Sequence, residues 1–320
     1  MSTEGSTRAV IAAMFANLGI AIAKFIGFLF TRSSSLLAES VHSVADTGNQ
    51  VLLLFGGKRA RMAPDRKHPF GYGRERFFWA FVVSIVLFTL GSMFAIYEGI
   101  EKVLHPHTID SPLWAIGILA VSILLETNSF RTAIHEARPY KGSASWSAFI
   151  RRSRSPELPV VILEDIGALV GLVLALCAVV LAVVTGNGVW DGVGSIVIGA
   201  LLGVIAVVLS VEMKSLLIGE SATEEDEEAI RAAIDDSPAV IQLISLRTEH
   251  IGPEEILVAA KVEFDGSLTI GQLAGVVDAV EAAIRASVPN ARRIFLEPDV
   301  VRPELGGDGD PWAGLEGRPS

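Results

Sequence analysis

Six apolar stretches lie before residue 214, at about 10–30, 36–55, 77–97, 113–132, 158–184 and 190–213. Each is about 20 residues, the length a helix needs to cross ~30 Å of hydrocarbon. This pattern predicts a six-span membrane domain over 1–212. Composition agrees: 51% of residues are hydrophobic and 19% charged, against about 25% charged in ordinary soluble domains. The first stretch does not read as a cleavable signal peptide. It is too long for an h-region, contains Asn17 and Lys24, and has no small-residue cleavage site.

Loop charge sets an expected orientation. Lys58, Arg59, Arg61, Arg66, Lys67, Arg74 and Arg76 follow span 2. Arg131, Arg138, Lys141, Arg151, Arg152 and Arg154 follow span 4, and the opposite loops offer only Arg32 and Lys102. Both termini are therefore expected in the cytoplasm or an equivalent compartment, the membrane being the inner (plasma) membrane. Span 4, with Glu126, Asn128 and Arg131 in its last turns, is expected to run on past the bilayer as an amphipathic helix.

Beyond 213 the character changes. Residues 1–212 hold 17 Lys/Arg and 15 Asp/Glu, whereas 213–320 hold 9 and 21. An acidic second part argues against nucleic acid as a partner. Thr223 and Asp226 resemble a capping box opening a helix at about 223–235. Alternation predicts strands at 240–250 and 256–264, with a turn at Gly252–Pro253. Ile270, Leu273, Val277, Val280 and Ile284 keep helical spacing over about 269–287, and 293–297 is a short strand. The order αββαβ gives a cytoplasmic α+β domain over 213–302. The Gly/Pro-rich 303–320 reads as a disordered tail. With Cys177 as the only cysteine, neither an intrachain disulfide nor a Cys-cluster zinc site can form.

The informative residues are the ionisable ones inside the spans, where a charge is costly and needs a partner or a purpose. His42 and Asp46 are four apart in span 2, so they share a helix face. An imidazole and a carboxylate are ligands that zinc accepts, although a plain His–Asp hydrogen bond tying helices together would use the same pair. Span 5 adds Glu164 and Asp165. Adjacent side chains point ~100° apart on a helix, so both cannot face one point without distortion.

At these residues the chain resembles the cation diffusion facilitator family of divalent-metal transporters, and within it the branch containing a divergent mitochondrial zinc transporter. The resemblance rests on Ala38–Gln50 of span 2, Asp65–Arg76 of the following loop, Leu163-Glu164-Asp165 and Trp190–Ser195. It covers about 8–300. It implies a membrane all-α six-helix bundle with a C-terminal ferredoxin-like domain serving dimerisation, working as a proton-coupled exporter. It also implies one metal held midway in each protomer by two residues four apart on span 2 and two on span 5. His42, Asp46 and Asp165 fall on three of these positions, and Val161, which cannot bind metal, on the fourth. Glu164 is the favoured substitute, with water, Asn17, Gln50, Glu126 and Asn128 as alternatives.

The resemblance also bears on two further sites. Asp65 and His68 match two ligands of a loop site and Tyr72 stands where a third is expected, so a structural loop histidine is the reading here. Ile244 and Lys261 occupy positions that carry His in other members, so the C-terminal domain is expected to be metal-poor, with His250, Glu297 and Asp299 the candidates for a relocated site.

Blander readings cover the rest. Gly167 with Gly171, and Gly199 with Gly203, read as close helix-packing pairs. Phe77, Phe78, Trp79, Trp114 and Trp190 suit an interfacial belt. Arg74, Glu75 and Arg76 are candidates for pairing across a dimer, and Cys177 for apolar packing.

The expected function is proton-coupled antiport of a divalent cation out of the cytoplasm by a homodimer. Zn²⁺ is the first guess from a His/carboxylate shell, with Mn²⁺, Fe²⁺ and Co²⁺ also suited. Metal and protons compete for the same ligands. The rival reading is a non-transporting membrane sensor or scaffold. No enzyme is expected, and no His-Glu-x-x-His motif of a metalloprotease occurs.

Overall fold

Every one of the six apolar stretches becomes a long helix or a near-continuous helical run. The computed structural model describes residues 3–301, apart from 107–108, 110, 144 and 154–155, so the tail expected at 303–320 lies outside the described residues. The chain divides into two compact units, Met1–Leu217 and Ile218–Ser320.

The first unit is helical: α1 (Thr3–Thr31), α2 (Ser34–Ala60), α3 (Glu75–Val86), a π-helical segment (Leu87–Met93), α4 (Phe94–Leu104), α5 (Pro112–Lys141), α6 (Trp146–Arg152), α7 (Glu157–Thr185) and α8 (Val189–Ile218). The π segment joins α3 and α4 into one span. Four runs, Glu75–Leu104, Pro112–Pro139, Glu157–Thr185 and Val189–Ile218, are long and apolar enough to cross a membrane by themselves, and Asn17–Thr31 is a shorter apolar helix. Span 2 carries too many polar residues to qualify alone, yet Glu39, His42, Asp46, Asn49 and Gln50 are all hidden inside the bundle.

Helices α1, α2, α7 and α5 close a ring in which each packs on two others, and α2 also meets α3, the π segment and α4. Leu36, Phe77, Leu87, Leu119, Leu172, Ile198 and Leu202 form the apolar interior. Arg32 takes the left-handed region at φ 58° in the short α1–α2 turn. Ser33 then caps α2 by accepting from the Leu36 N–H at 3.3 Å, as N-cap serines do. Gly186, at φ 67°, ends α7 with its N–H on the carbonyls of Ala182 and Val183, an αL C-cap.

Several expectations need correction. Helix α5 runs on through Arg131 to Lys141, but α6 was not foreseen. Phe77 is fully buried rather than interfacial. Cys177 is exposed on the surface of its helix. Arg76 and Glu75 are engaged within the chain, to Glu157 at 3.1 Å and to Arg59 at 3.4 Å. The glycine pairs do sit at helix contacts. A Cβ on Gly199 would collide with Ile96 and the Ser92 carbonyl, and one on Gly171 with the Glu39 carboxylate.

The second unit holds α9 (Glu224–Asp235), β1 (Val240–Gly252), β2 (Glu255–Phe264), α10 (Ile270–Ser287) and β3 (Ala291–Pro298). Thr223 accepts from the Asp226 N–H to open α9, and four acidic residues in its first turn favour the helix dipole. Thr269 and Gln272 complete a reciprocal capping box on α10. The sheet order is β1-β2-β3, with β1–β2 antiparallel and β2–β3 parallel. Parallel neighbours need a crossover, and α10 supplies it. Ile230, Ile234, Ile256, Val258, Val262, Val280 and Ile284 form the core under the sheet.

Candidate functional site

The first turns of α2 are fixed from a distance in sequence. Asp191 of α8 is fully buried and accepts from Ser33 Oγ at 2.9 Å and from the backbone N–H of Ser34 and Ser35 at 2.7 and 3.3 Å. A carboxylate on the free N–H groups of a helix start satisfies both the donors and the dipole. Lys102 of α4, also buried, stands 3.9 Å from Asp191. Lys102 is therefore an interior ion-pair partner and not the loop charge the sequence reading made it.

Two turns along α2, His42 Nδ1 and Asp46 Oδ1 lie 3.5 Å apart, the first side chain fully buried and the second nearly so. The separation is too long for a good hydrogen bond. Both ring nitrogens of His42, Asp46 Oδ1 and Asp165 Oδ2 are buried with no hydrogen-bond partner. Each such atom costs about 1–3 kcal/mol, which a scaffold that only ties helices together has no reason to bear. At 3.5 Å the pair is looser than a plain His–Asp hydrogen bond. The π segment brings its own backbone close: a Cβ on Gly91 would stand 3.9 Å from His42 Nδ1. Such π-helical turns recur at functional positions.

Helix α7 brings both of its carboxylates inside. Glu164 and Asp165 are 5% and 8% exposed, despite the ~100° between adjacent positions. They diverge as that angle requires. Glu164 Oε1 accepts from Asn49 Nδ2 of α2 at 2.6 Å, whereas α7 also packs on α5, which carries the buried Glu126. Val161 is half-buried and ligand-free in chemistry. Of the alternatives, Asn17, Gln50 and Glu126 are buried, and Asn128 is exposed, which removes it. Among the described residues no three His, Cys, Asp or Glu side chains are close enough to hold a metal together. The four predicted residues thus share one interior seam without forming a closed shell.

Asn49, Glu39, Lys24 and Asp191 escaped the sequence reading as site residues. Asn49 had a signal, a polar side chain at i+3 from Asp46; the others depend on which helix meets which.

In the loop, Asp65 Oδ1 accepts from the Lys67 and His68 N–H groups at 2.9 and 2.6 Å, and Oδ2 from Tyr72 Oη at 2.8 Å. These donors, the His68 N–H foremost, hold the Asp65 carboxyl below the usual range. The same bond raises Tyr72. His68 Nδ1 is 3.5 Å from Asp65 Oδ1. The loop is an exposed hydrogen-bonded turn around one carboxylate.

In the C-terminal domain Lys261 Nζ pairs with Asp299 at 3.2 Å and Glu297 at 3.4 Å, which raises it above the usual lysine range, the Asp299 bond leading. His250 pairs across the sheet with Ile256, while Glu297 is in register with Lys261. Five residues of strand separate these rungs by about 16 Å. His250 therefore does not join Glu297 and Asp299 in one site.

Comparison with known proteins agrees with this organisation. The family described as "Cation efflux transmembrane domain" matches residues 10–218, and "Cation efflux protein, cytoplasmic domain" matches 222–299. The mitochondrial "Proton-coupled zinc antiporter SLC30A9" of Xenopus laevis is 32% identical over 83% of this chain and 48% of its own length. "Metal tolerance protein C4" of Arabidopsis thaliana is 34% identical over 84% of this chain and 60% of its own. This chain therefore spans about half the length of the zinc antiporters it matches. "Magnetosome protein MamB" of a Magnetospira species is 25% identical over 91% of this chain and 94% of its own.

Proposed function

The chain belongs to the cation efflux family of multi-pass membrane metal transporters, and we propose that it is a proton-coupled antiporter that exports a divalent cation, zinc first, from the cytoplasm. The observation that carries this reading is the α2–α7 seam. It gathers His42, Asp46, Glu164 and Asp165 in the bundle interior and leaves coordinating atoms on three of them unsatisfied. One imidazole and carboxylates are a donor set zinc accepts. They bind metal only when deprotonated, so cargo and protons exclude one another.

In this reading the cargo draws the seam together. His42, Asp46 and Asp165 are its ligands, and Glu164 completes the shell by giving up Asn49. The Lys/Arg-rich loops face the cytoplasm, placing both termini there, in the inner (plasma) membrane. The C-terminal domain joins two copies into a homodimer. The protein works as a transporter and not as an enzyme. A site with one nitrogen and several oxygens would also take Mn²⁺, Fe²⁺ or Co²⁺.

The test is metal flux into proteoliposomes across an imposed pH gradient. Zinc uptake that collapses the gradient supports antiport, and Asp46→Ala and Asp165→Ala are each expected to lose it while the protein stays folded. Full transport by either variant would remove that residue from the site. Zinc binding without flux in the parent would favour the sensor or scaffold reading. Glu164→Gln transporting normally would leave water or another helix to supply the fourth ligand.

A further inference from the structure

Lys24 of α1 has no part in the reading above, yet it is fully buried beside the seam. Its Nζ lies 3.3 Å from Glu39 Oε2 and donates to Ser43 Oγ at 2.8 Å, both on α2. The pair is built in by three helices, because Gly171 of α7 lacks a Cβ where the other Glu39 oxygen lies. A buried ion pair is often no better for stability than well-packed apolar side chains, so stability alone does not require one here.

Its position points to the transport site. Glu39, Ser43, Asp46 and Gln50 follow i, i+4, i+7 and i+11, one polar stripe along α2. Lys24 stands at the head of the stripe that carries Asp46. Through Ser43 its Nζ reaches the residue next to His42 and three before Asp46. Among the described residues the buried lysines and arginines are Lys24 and Lys102, and Lys102 is committed to the Asp191 cap. Lys24 is thus the cation inside a cluster of carboxylates.

We propose that Lys24 is an internal counter-cation that sets how tightly the divalent cargo is held, keeping the site weak enough to release it. The inference rests on the seam being the transport site. Along the stripe the ammonium is one to two helical turns from Asp46, ~8 Å, and at an effective dielectric of ~20 its repulsion of a divalent ion is worth at least about tenfold in affinity.

The experiment is calorimetric titration of the purified full chain with Zn²⁺, with thermal melting as the check on folding. Lys24→Met should bind zinc about tenfold tighter or more, and Glu39→Gln, which leaves the lysine unopposed, weaker by a similar factor. The neutral pair Lys24→Met/Glu39→Gln and the exchanged pair Lys24→Glu/Glu39→Lys should both return to within about threefold of the parent, since opposite charge changes offset one another. A purely structural role predicts instead that every variant binds more weakly. Lys24→Met binding no tighter than the parent, or the neutral pair tracking its worse single, would overturn the proposal. If Lys24→Met does not fold, the neutral pair decides: affinity within about threefold of the parent, against weaker binding by Glu39→Gln alone, supports the proposal, and weaker binding by the pair as well overturns it. Asp46→Asn separates the two readings. If it abolishes binding while the lysine variants match the parent, only this inference fails; if it binds like the parent, the site reading falls and this inference with it.

Discussion

The two units solve the problem of a stable interior in opposite ways. The helical unit buries Lys24, Glu39, His42, Asp46, Lys102, Glu126, Glu164, Asp165 and Asp191. The C-terminal domain buries isoleucine, valine and alanine, and its charges stay at the surface, His250 being its buried titratable side chain among the described residues. The solvents explain the contrast. In water, burying apolar area yields roughly 25 cal/mol per Å² and specifies a core by itself. In a bilayer the surroundings are as apolar as leucine, so close contact between small residues and interior polar bonds must decide which helix meets which. The polar interior of the helical unit therefore helps fix the bundle.

The largest test of that contrast is Asp191→Ala. The substitution strips the α2 N-terminus of its acceptor and leaves Lys102 buried without this counter-charge. Breaking a buried pair from one side costs about 3–5 kcal/mol. The expected outcome is a steep fall in the melting temperature of the detergent-solubilised protein, with zinc flux lost because α2 carries His42 and Asp46. A melt unchanged by Asp191→Ala would mean that apolar contact alone holds this bundle.

The matching test in the other unit is Ile256→Ala. Ile256 is fully buried in the middle strand, and removing its side chain should cost about 2–4 kcal/mol through lost transfer energy and the cavity left behind. Hydrogen exchange on the full chain should show β2 and its neighbours opening more readily, with the helical unit unaffected. Equal loosening of both units would show that they unfold as one.

These two residues also mark how much could be read in advance. Ile256 lay on an alternating strand, and the strand, the turn at Gly252 and helix α10 all emerged within one or two residues, because each is written in local spacing. The parallel pairing of β3 on β2 was not, since it depends on a crossover rather than on either strand. In the bundle the spans were legible from length and hydropathy, and His42, Asp46, Glu164 and Asp165 stood out as charges where charge is costly. Asp191 was noticed only as part of a motif, and Lys24 only as a reason against a signal peptide. Their partners, Ser34 and Glu39, lie 157 and 15 residues away, and helix adjacency at that range leaves no periodic trace. The π segment at Leu87–Met93 had no sequence signal beyond Gly91.

A smaller effect is expected from Lys261→Met. The lysine bridges Asp299 and Glu297, but its side chain is 38% exposed and that of Glu297 65%, so screening by solvent leaves the pair a small contribution. The folded lysine sits above its ordinary range, so its contribution is present below about pH 10 and lost as pH rises through the folded value. At neutral pH the melt should shift slightly, less in high salt. A loss as large as that of Ile256→Ala would show that this ion cluster, and not the apolar core, specifies the domain.

The smallest effect separates burial from location. Asp65 belongs to the helical unit yet lies in water, so it should behave like Lys261 and not like Asp191. Its carboxyl is held below the usual range by the His68 N–H first and then by the Tyr72 hydroxyl and the Lys67 N–H. A depressed carboxyl contributes above its unfolded value, about pH 4, and that contribution fades as pH falls through the still lower folded value. The loop should therefore keep its turn at every pH where the transporter works and loosen only in stronger acid. Tyr72 reports the same bond from the other end, because the bond raises it. Asp65→Asn removes the negative acceptor, so the phenol titration of Tyr72 should move down toward its ordinary value, while the melting temperature barely changes. Ultraviolet absorbance resolves this among the three tyrosines of the chain. A marked loss of stability from Asp65→Asn would mean that membership of the helical unit, rather than sequestration from solvent, is what makes a charge matter there.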